Sequence, residues 1–365
     1  MARRYPYATS ADALFRPAQG TDFFEEWDRD RDTMELNLLC AELSRLSYAS
    51  PDIARPSLAR IGFTLGAWIG GESLGQRVST RGADGFVATS EEHQVTIVAF
   101  RGTEPDRLED LISDVNTLQS PWGDGARVHS GFLKTFNAVC EPLRTALANT
   151  RPQLILTGHS LGAALATLAA AEYRERRPVL ITFGSPRAGD ERFRAILDGL
   201  DVRRFVHCCD LVPRVPPARF DAANLGTLIG ELSGAGGPSR VVAGVIANIL
   251  GTAGMDARFE HVGTEMYADQ NGVVRPGISE QDRENDQRAA RTAYGAPGGS
   301  SHAGRLALEA LEGARARAAG AVDVLGALRD LVRSAVGAGT TGRLPLRDLA
   351  DHAPINYVSV FSGRR

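Results

Sequence analysis

LILTGHSLGAALATLAAAEYRER, residues 154–176, decides how this chain is read. An apolar run suited to a strand covered on both faces leads straight into Gly158-His159-Ser160-Leu161-Gly162, and an alanine- and leucine-rich helical stretch follows without a break. Strand, sharp turn and helix in immediate succession lift the Ser160 side chain above the carboxyl edge of a sheet. Glycine on either side lets strand and helix approach closely, and Ala163 and Ala164 keep the start of the helix slim. The helix N-terminus offers unpaired N–H groups and partial positive charge where a negatively charged oxygen would form. Ser160 is therefore the expected nucleophile, and the Leu161 N–H an expected oxyanion donor. The same pattern recurs at Gly71-Glu72-Ser73-Leu74-Gly75, but QRVSTRG follows it, polar and strand-like rather than helical. Ser73 is read as an ordinary turn residue.

Three further apolar runs lie outward from the elbow: Val95–Phe100 (VTIVAF), Val179–Phe183 (VLITF) and Arg204–Cys208 (RFVHC). Helix-like segments separate them at 132–148, 161–176 and 192–200, and another is expected near Met34 to Tyr48. Strands alternating with helices imply parallel pairing through crossover helices. The expected fold class is α/β, with a mostly parallel central sheet flanked by helices. Residues 1–365 read as a single domain with an irregular arm at 1–30. The composition changes after Asp221, and 222–345 reads as a helical insertion or cap before the last histidine. Within it we expect a hairpin turning at Asn271-Gly272, a polar, glycine-rich loop over 276–300, and Ala/Leu/Arg helices over 301–336.

The chain has 365 residues, 43% hydrophobic and 23% charged, with a net charge of −3, so it is globular in composition and carries no basic excess for nucleic acid. Cys40, Cys140, Cys208 and Cys209 form no CxxC pair and no repeated spacing, which points to buried thiols rather than a zinc site or disulfide framework. The stretch Val241–Met255 is too short to span a bilayer, and its first part, Val241–Leu250, reads as a core or cap helix, membrane docking being the other use. MARRYPYATSADALFRPAQG, at the start, holds a twin arginine without an apolar run of leader length. A cytoplasmic location is the default expectation, with export by a non-standard route as the alternative.

Phe100-Arg101-Gly102-Thr103 closes the strand before the nucleophile strand, which is where a second oxyanion donor is recruited, so the Thr103 N–H is expected to complete the pair. Asp210 follows the strand 204–208 and precedes LVPRVPP, whose prolines stiffen its loop. An aspartate at that edge can orient an imidazole. A catalytic histidine follows the acid in this type of fold. Of the seven histidines, His261, His302 and His352 qualify, and His302, at the start of a helix-like run, is the poorest. Position in the chain does not separate His261 from His352.

FRGT (100–103), VHSGF (128–132), TGHSLGAALA (157–166), FGSPRAGD (183–190), DLVPRVPP (210–217) and DHAPINY (351–357), in that order, resemble the class 3 lipases. The resemblance implies an α/β-hydrolase fold and a triad of Ser160, Asp210 and His352, with Thr103 and Leu161 at the oxyanion hole. It implies an ester or lipid substrate, transient contact with a lipid surface, and no metal or cofactor. His261-Val262-Gly263 resembles the family's non-catalytic H-x-G element. Two departures stand out. The gap between acid and base is long, and the segment Glu104–Asp114, in the place of the family's lid, is strongly acidic. A phospholipase would share every catalytic residue, and a catalytically silent hydrolase fold used for binding is the reading from a different class.

Overall fold

The computed structural model describes Leu14 and Phe15 and residues 34–70, 85–102, 119–219, 257–293 and 352–362. Eight strands form one sheet: β1 (Thr64–Ile69), β2 (Gly85–Ser90), β3 (Val95–Phe100), β6 (Gln153–His159), β7 (Val179–Phe183), β8 (Val202–His207), β9 (Thr264–Ala268) and β10 (Val274–Pro276). They lie side by side in that order. From β3 through β9 the pairing is parallel, and the β1–β2–β3 and β9–β10 pairs at the two ends are antiparallel. A separate hairpin, β4 (Gln119–Gly123) with β5 (Ala126–His129), stands outside it. This is the mostly parallel α/β sheet expected of a hydrolase elbow.

Helices cover both faces. On one side lie α3 (Ser130–Leu147), α4 (Leu161–Glu172) and the short α5 (Glu191–Ile196); on the other, α1 (Met34–Leu46) and α7 (Pro354–Ser362), with α2 (Pro51–Ala59) leading into β1. Strand alternation explains the division. Val98, Phe100, Leu154, Leu156 and Leu180 pack with the α3 and α4 side chains. Ile97, Ile155, Ile181, Phe183 and Phe205 pack with Leu36, Leu39, Leu43, Val358 and Phe361. Each large apolar side chain so buried contributes roughly 1.5–3 kcal/mol. In α4 every residue from Gly162 to Ala171 is buried, which is why that helix is apolar all round rather than amphipathic.

Two expectations need correction. Residues 280–293, expected within a loop, form helix α6 (Glu280–Ala293). The apolar periodicity that signals a helix is missing there, and other forces hold it. Ser279 caps it, its Oγ accepting the Asp282 N–H (3.1 Å), and Glu280 and Arg283 pair along its first turn. The hairpin at 264–276 is present, but Asn271-Gly272 sits inside a longer loop. There the Asp269 carboxylate accepts the N–H groups of Asn271 and Val273 at 2.9 Å each. Through β9 this part of the 222–345 stretch joins the central sheet. Most of the 1–30 arm, Ser73, the segment Glu104–Asp114, Val241–Leu250, His302 and the 301–336 helices lie outside the described residues.

Candidate active site

Ser160 stands between β6 and α4 with φ +59° and ψ −127°, a conformation disfavoured for any residue with a Cβ. Two backbone bonds hold the strain: the Ser160 N–H to Phe183 O (3.0 Å) and the Ala163 N–H to Ser160 O (3.0 Å). The flanking glycines are needed for space. A Cβ on Gly158 would overlap the Gly162 backbone, and one on Gly162 would overlap the Phe100 carbonyl. Leu161 opens α4, so its N–H has no acceptor within the helix.

The acid arm sits at the same edge, after β8. His352 Nδ1 lies 2.9 Å from both Asp210 oxygens, the Tyr357 hydroxyl donates to Oδ2 at 2.5 Å, and the Val212 N–H donates to Oδ1 at 2.9 Å. Asp210 is 2% exposed and His352 4%, so these bonds act where water does not compete. A buried carboxylate can only accept, so Nδ1 carries the ring proton and Nε2 presents a lone pair. His352 Nε2 and Ser160 Oγ are both buried without a hydrogen-bond partner. Gly184, at φ +58°, passes under this pair, and a Cβ there would come within 2.7 Å of Asp210 Oδ2.

His159, beside the nucleophile, is tied at both ring nitrogens. Its Nε2 lies 2.5 Å from the His352 carbonyl and therefore donates, which leaves Nδ1 to accept from the Tyr48 hydroxyl at 2.9 Å. Burial, reinforced by His352, pushes its pKa well below the ordinary range and keeps the ring neutral. Tyr48 Oη also receives the Gly102 N–H. It thereby links α1's end, the end of β3 and the elbow. Gly102 has no room for a side chain, since a Cβ would overlap Tyr48 Oη and lie 3.0 Å from Ser160 Cβ.

The structure thus brings Asp210 and His352 together at the edge that carries Ser160 and Leu161. His261 is elsewhere, hydrogen-bonded to the Pro213 backbone in a cavity lined by arginines. Thr103 lies outside the described residues. Sequence reading missed Tyr48, Gly184 and Tyr357 as supports. Tyr357 and Gly184 stand within quoted motifs, so the signal was available, whereas Tyr48 had no local mark.

Residues 97–220 match the family model for class 3 lipase. That span contains Ser160 and Asp210 and ends before His352, so the base rests on geometry. A lipase of Rhizopus niveus is 33% identical over 38% of this chain and 38% of its own length. A secreted mono- and diacylglycerol lipase of Fusarium solani is 34% identical over 40% of this chain and 47% of its own. A chloroplastic phospholipase A(1) of Arabidopsis thaliana is 31% identical over 48% of this chain and 47% of its own. The matched stretches thus span less than half the length of these relatives. The cytoplasmic expectation is corrected by the comparison, since a similar relative is named as secreted.

Proposed function

We propose that this chain, whose residues 97–220 are of the class 3 lipase family, is an exported serine ester hydrolase acting on lipid or carboxylic esters. One observation carries the reading: the Asp210–His352 pair, at 2.9 Å, lies at the sheet edge where Ser160 is held at φ +59°. His352 Nε2 takes the Ser160 proton as Oγ attacks the ester carbonyl. The oxyanion of the tetrahedral intermediate accepts the Leu161 N–H and the Thr103 N–H. The intermediate collapses, the C–O bond to the alcohol breaks, and His352 returns its proton to the leaving oxygen. Water, deprotonated by the same nitrogen, then releases the acid and restores Ser160. Asp210 keeps the imidazole in the required tautomer and stabilises its charged form. Small-molecule or lipid esters are the substrates, and the lipid surface is the transient partner.

The first test is hydrolysis of p-nitrophenyl esters of short and long acyl chains by wild type and three variants. Ser160→Ala and His352→Ala are expected to lose several orders of magnitude, and His261→Ala to remain active. A dead His261→Ala with an active His352→Ala overturns the assignment of the base. The relative named as a phospholipase A(1) favours phospholipid as a second substrate class, read out as fatty acid released from phosphatidylcholine. A wild type inert on every ester would instead place the chain among silent hydrolase folds used for binding.

A further inference from the structure

The cavity that holds His261, of about 280 Å³, lies between the loop after Asp210 and helix α6. Arg187, Arg204, Arg214, Arg283, His261 and Glu265 line it. Asp210 borders it too, but its carboxylate already accepts from His352, Tyr357 and Val212. Glu280 stands on the rim with its side chain 74% exposed. Four guanidinium groups thus meet three carboxylates: Asp210 accepts from neutral donors, Glu280 pairs with Arg283 from the rim, and Glu265, its side chain 19% exposed, lies between Arg204 and Arg283.

That carboxylate is already shared. Arg204 Nη2 reaches Glu265 Oε2 at 3.1 Å, and Arg283 holds the other oxygen. Arg187 Nη1 donates to the carbonyls of Arg214 (2.7 Å) and Pro216 (2.8 Å), and Arg214 donates to Gln287 at 2.8 Å. Arg204, beyond its bond to Glu265, keeps two spare nitrogens. Its side chain is 6% exposed, yet Nε and Nη1 have no partner. His261 Nδ1 is likewise buried and unpartnered. Burial and the neighbouring Arg204 and Arg214 charges pull Arg187 down to about 10. A buried guanidinium whose N–H groups lack acceptors is costly, and such groups elsewhere are held by an anion or a carboxylate.

We propose that this cavity is a binding site for a phosphate-class oxyanion, with Arg204 as its principal ligand and Arg187 and Arg283 around it. A tetrahedral oxyanion presents several acceptor oxygens to the spare Arg204 donors, Nε and Nη1, and guanidinium groups suit its geometry. The site is separate from the nucleophile, but the same loop, 210–217, walls it and carries the acid. Occupancy would stiffen the arm that holds Asp210. The phosphate could be free or the phosphodiester of a lipid headgroup.

Thermal melts of the full chain in inorganic phosphate, against sodium chloride at matched ionic strength, provide the test, with glycerophosphocholine as the headgroup arm. A saturable rise of several degrees in phosphate and none in chloride is expected, because a ligand of the native state stabilises by mass action. Arg204→Gln should abolish it. Titration calorimetry of wild type with both anions reads the same site even if that variant folds poorly, and Arg283→Gln should weaken binding about tenfold or more. Binding of inorganic phosphate supports a free-anion site, and binding of glycerophosphocholine alone supports a headgroup site. Saturable binding of neither, or an undiminished shift in Arg204→Gln, overturns the proposal.

Discussion

Tyr357 donates to Asp210 Oδ2 at 2.5 Å and accepts the His207 N–H at 3.1 Å, so one hydroxyl ties the acid to the last residue of β8. Tyr357→Phe removes one of three donors on a buried carboxylate. A hydrogen bond to a charged group contributes roughly 1.5–3 kcal/mol. Steady-state kinetics of the variant should show kcat down about tenfold or more with KM little changed; an unchanged kcat would reduce Tyr357 to a packing residue. Glu42 shows the opposite economy. It is buried in α1 at 0% exposure, and desolvation pushes its carboxyl from 4.5 to about 7 despite Arg45 at 3.4 Å. The native state thus holds this proton more tightly than the unfolded chain. Its contribution is fully present below about pH 4.5 and is lost as pH rises through about 7, by on the order of 3 kcal/mol. Urea midpoints at pH 5 and pH 8 should fall for wild type relative to Glu42→Gln. Parallel pH dependence in the two proteins would count against this account.

Among the elements, α6 tests how far a helix can stand on capping and ion pairs. It matters for the site because its Gln287 Nε2 donates to the Cys208 carbonyl at 2.8 Å and its Asp286 accepts the Tyr267 hydroxyl at 2.8 Å. Both bonds brace the strand ends around the acid loop. Losing the Ser279 cap should cost about 1 kcal/mol. Denaturant unfolding of Ser279→Ala should show that loss with ester turnover preserved. No measurable loss would mean that tertiary contacts alone hold α6. The helix was illegible in sequence because its polarity runs round every face, and Gln287 and Ala290 are the buried ones among residues 280–290. β3, β6 and β7 were legible for the contrary reason: two-sided burial writes itself as nearly continuous apolar runs. β1 and β2, at the antiparallel end of the sheet, carry glycine and polar residues (TLGAWI, GFVATS) and gave no such signal.

At the scale of the molecule, α1 and α7 lie together over one face of the sheet, and α7 follows His352 directly. Phe361 meets Phe205 edge-on at 5.0 Å and Phe183 at 6.2 Å, so the helix after the base is anchored to the strands that hold the acid and the elbow. Phe361→Ala should cost about 3–5 kcal/mol and lower kcat as well, by loosening His352 and Tyr357. Leu143→Ala, in α3 on the other face, should cost about 2–5 kcal/mol with kcat preserved. Melting temperature and turnover, measured on both, separate the two faces; equal effects on kcat would remove the distinction. What the sequence by itself determined is the elbow, because strand, glycine-flanked serine and helix are contiguous and each residue's neighbours are its neighbours in the chain. The parallel sheet and the acid after β8 followed from the same local order. The base did not follow. His261 and His352 are both downstream of Asp210, and chain order alone does not separate them; the resemblance of DHAPINY favoured His352, and the tertiary structure puts that residue beside Asp210. It sends one into the arginine cavity and brings the other, 142 residues beyond the acid, within 2.9 Å of it. That choice is made by the docking of α7 on α1 and the sheet, a long-range packing that no local pattern encodes.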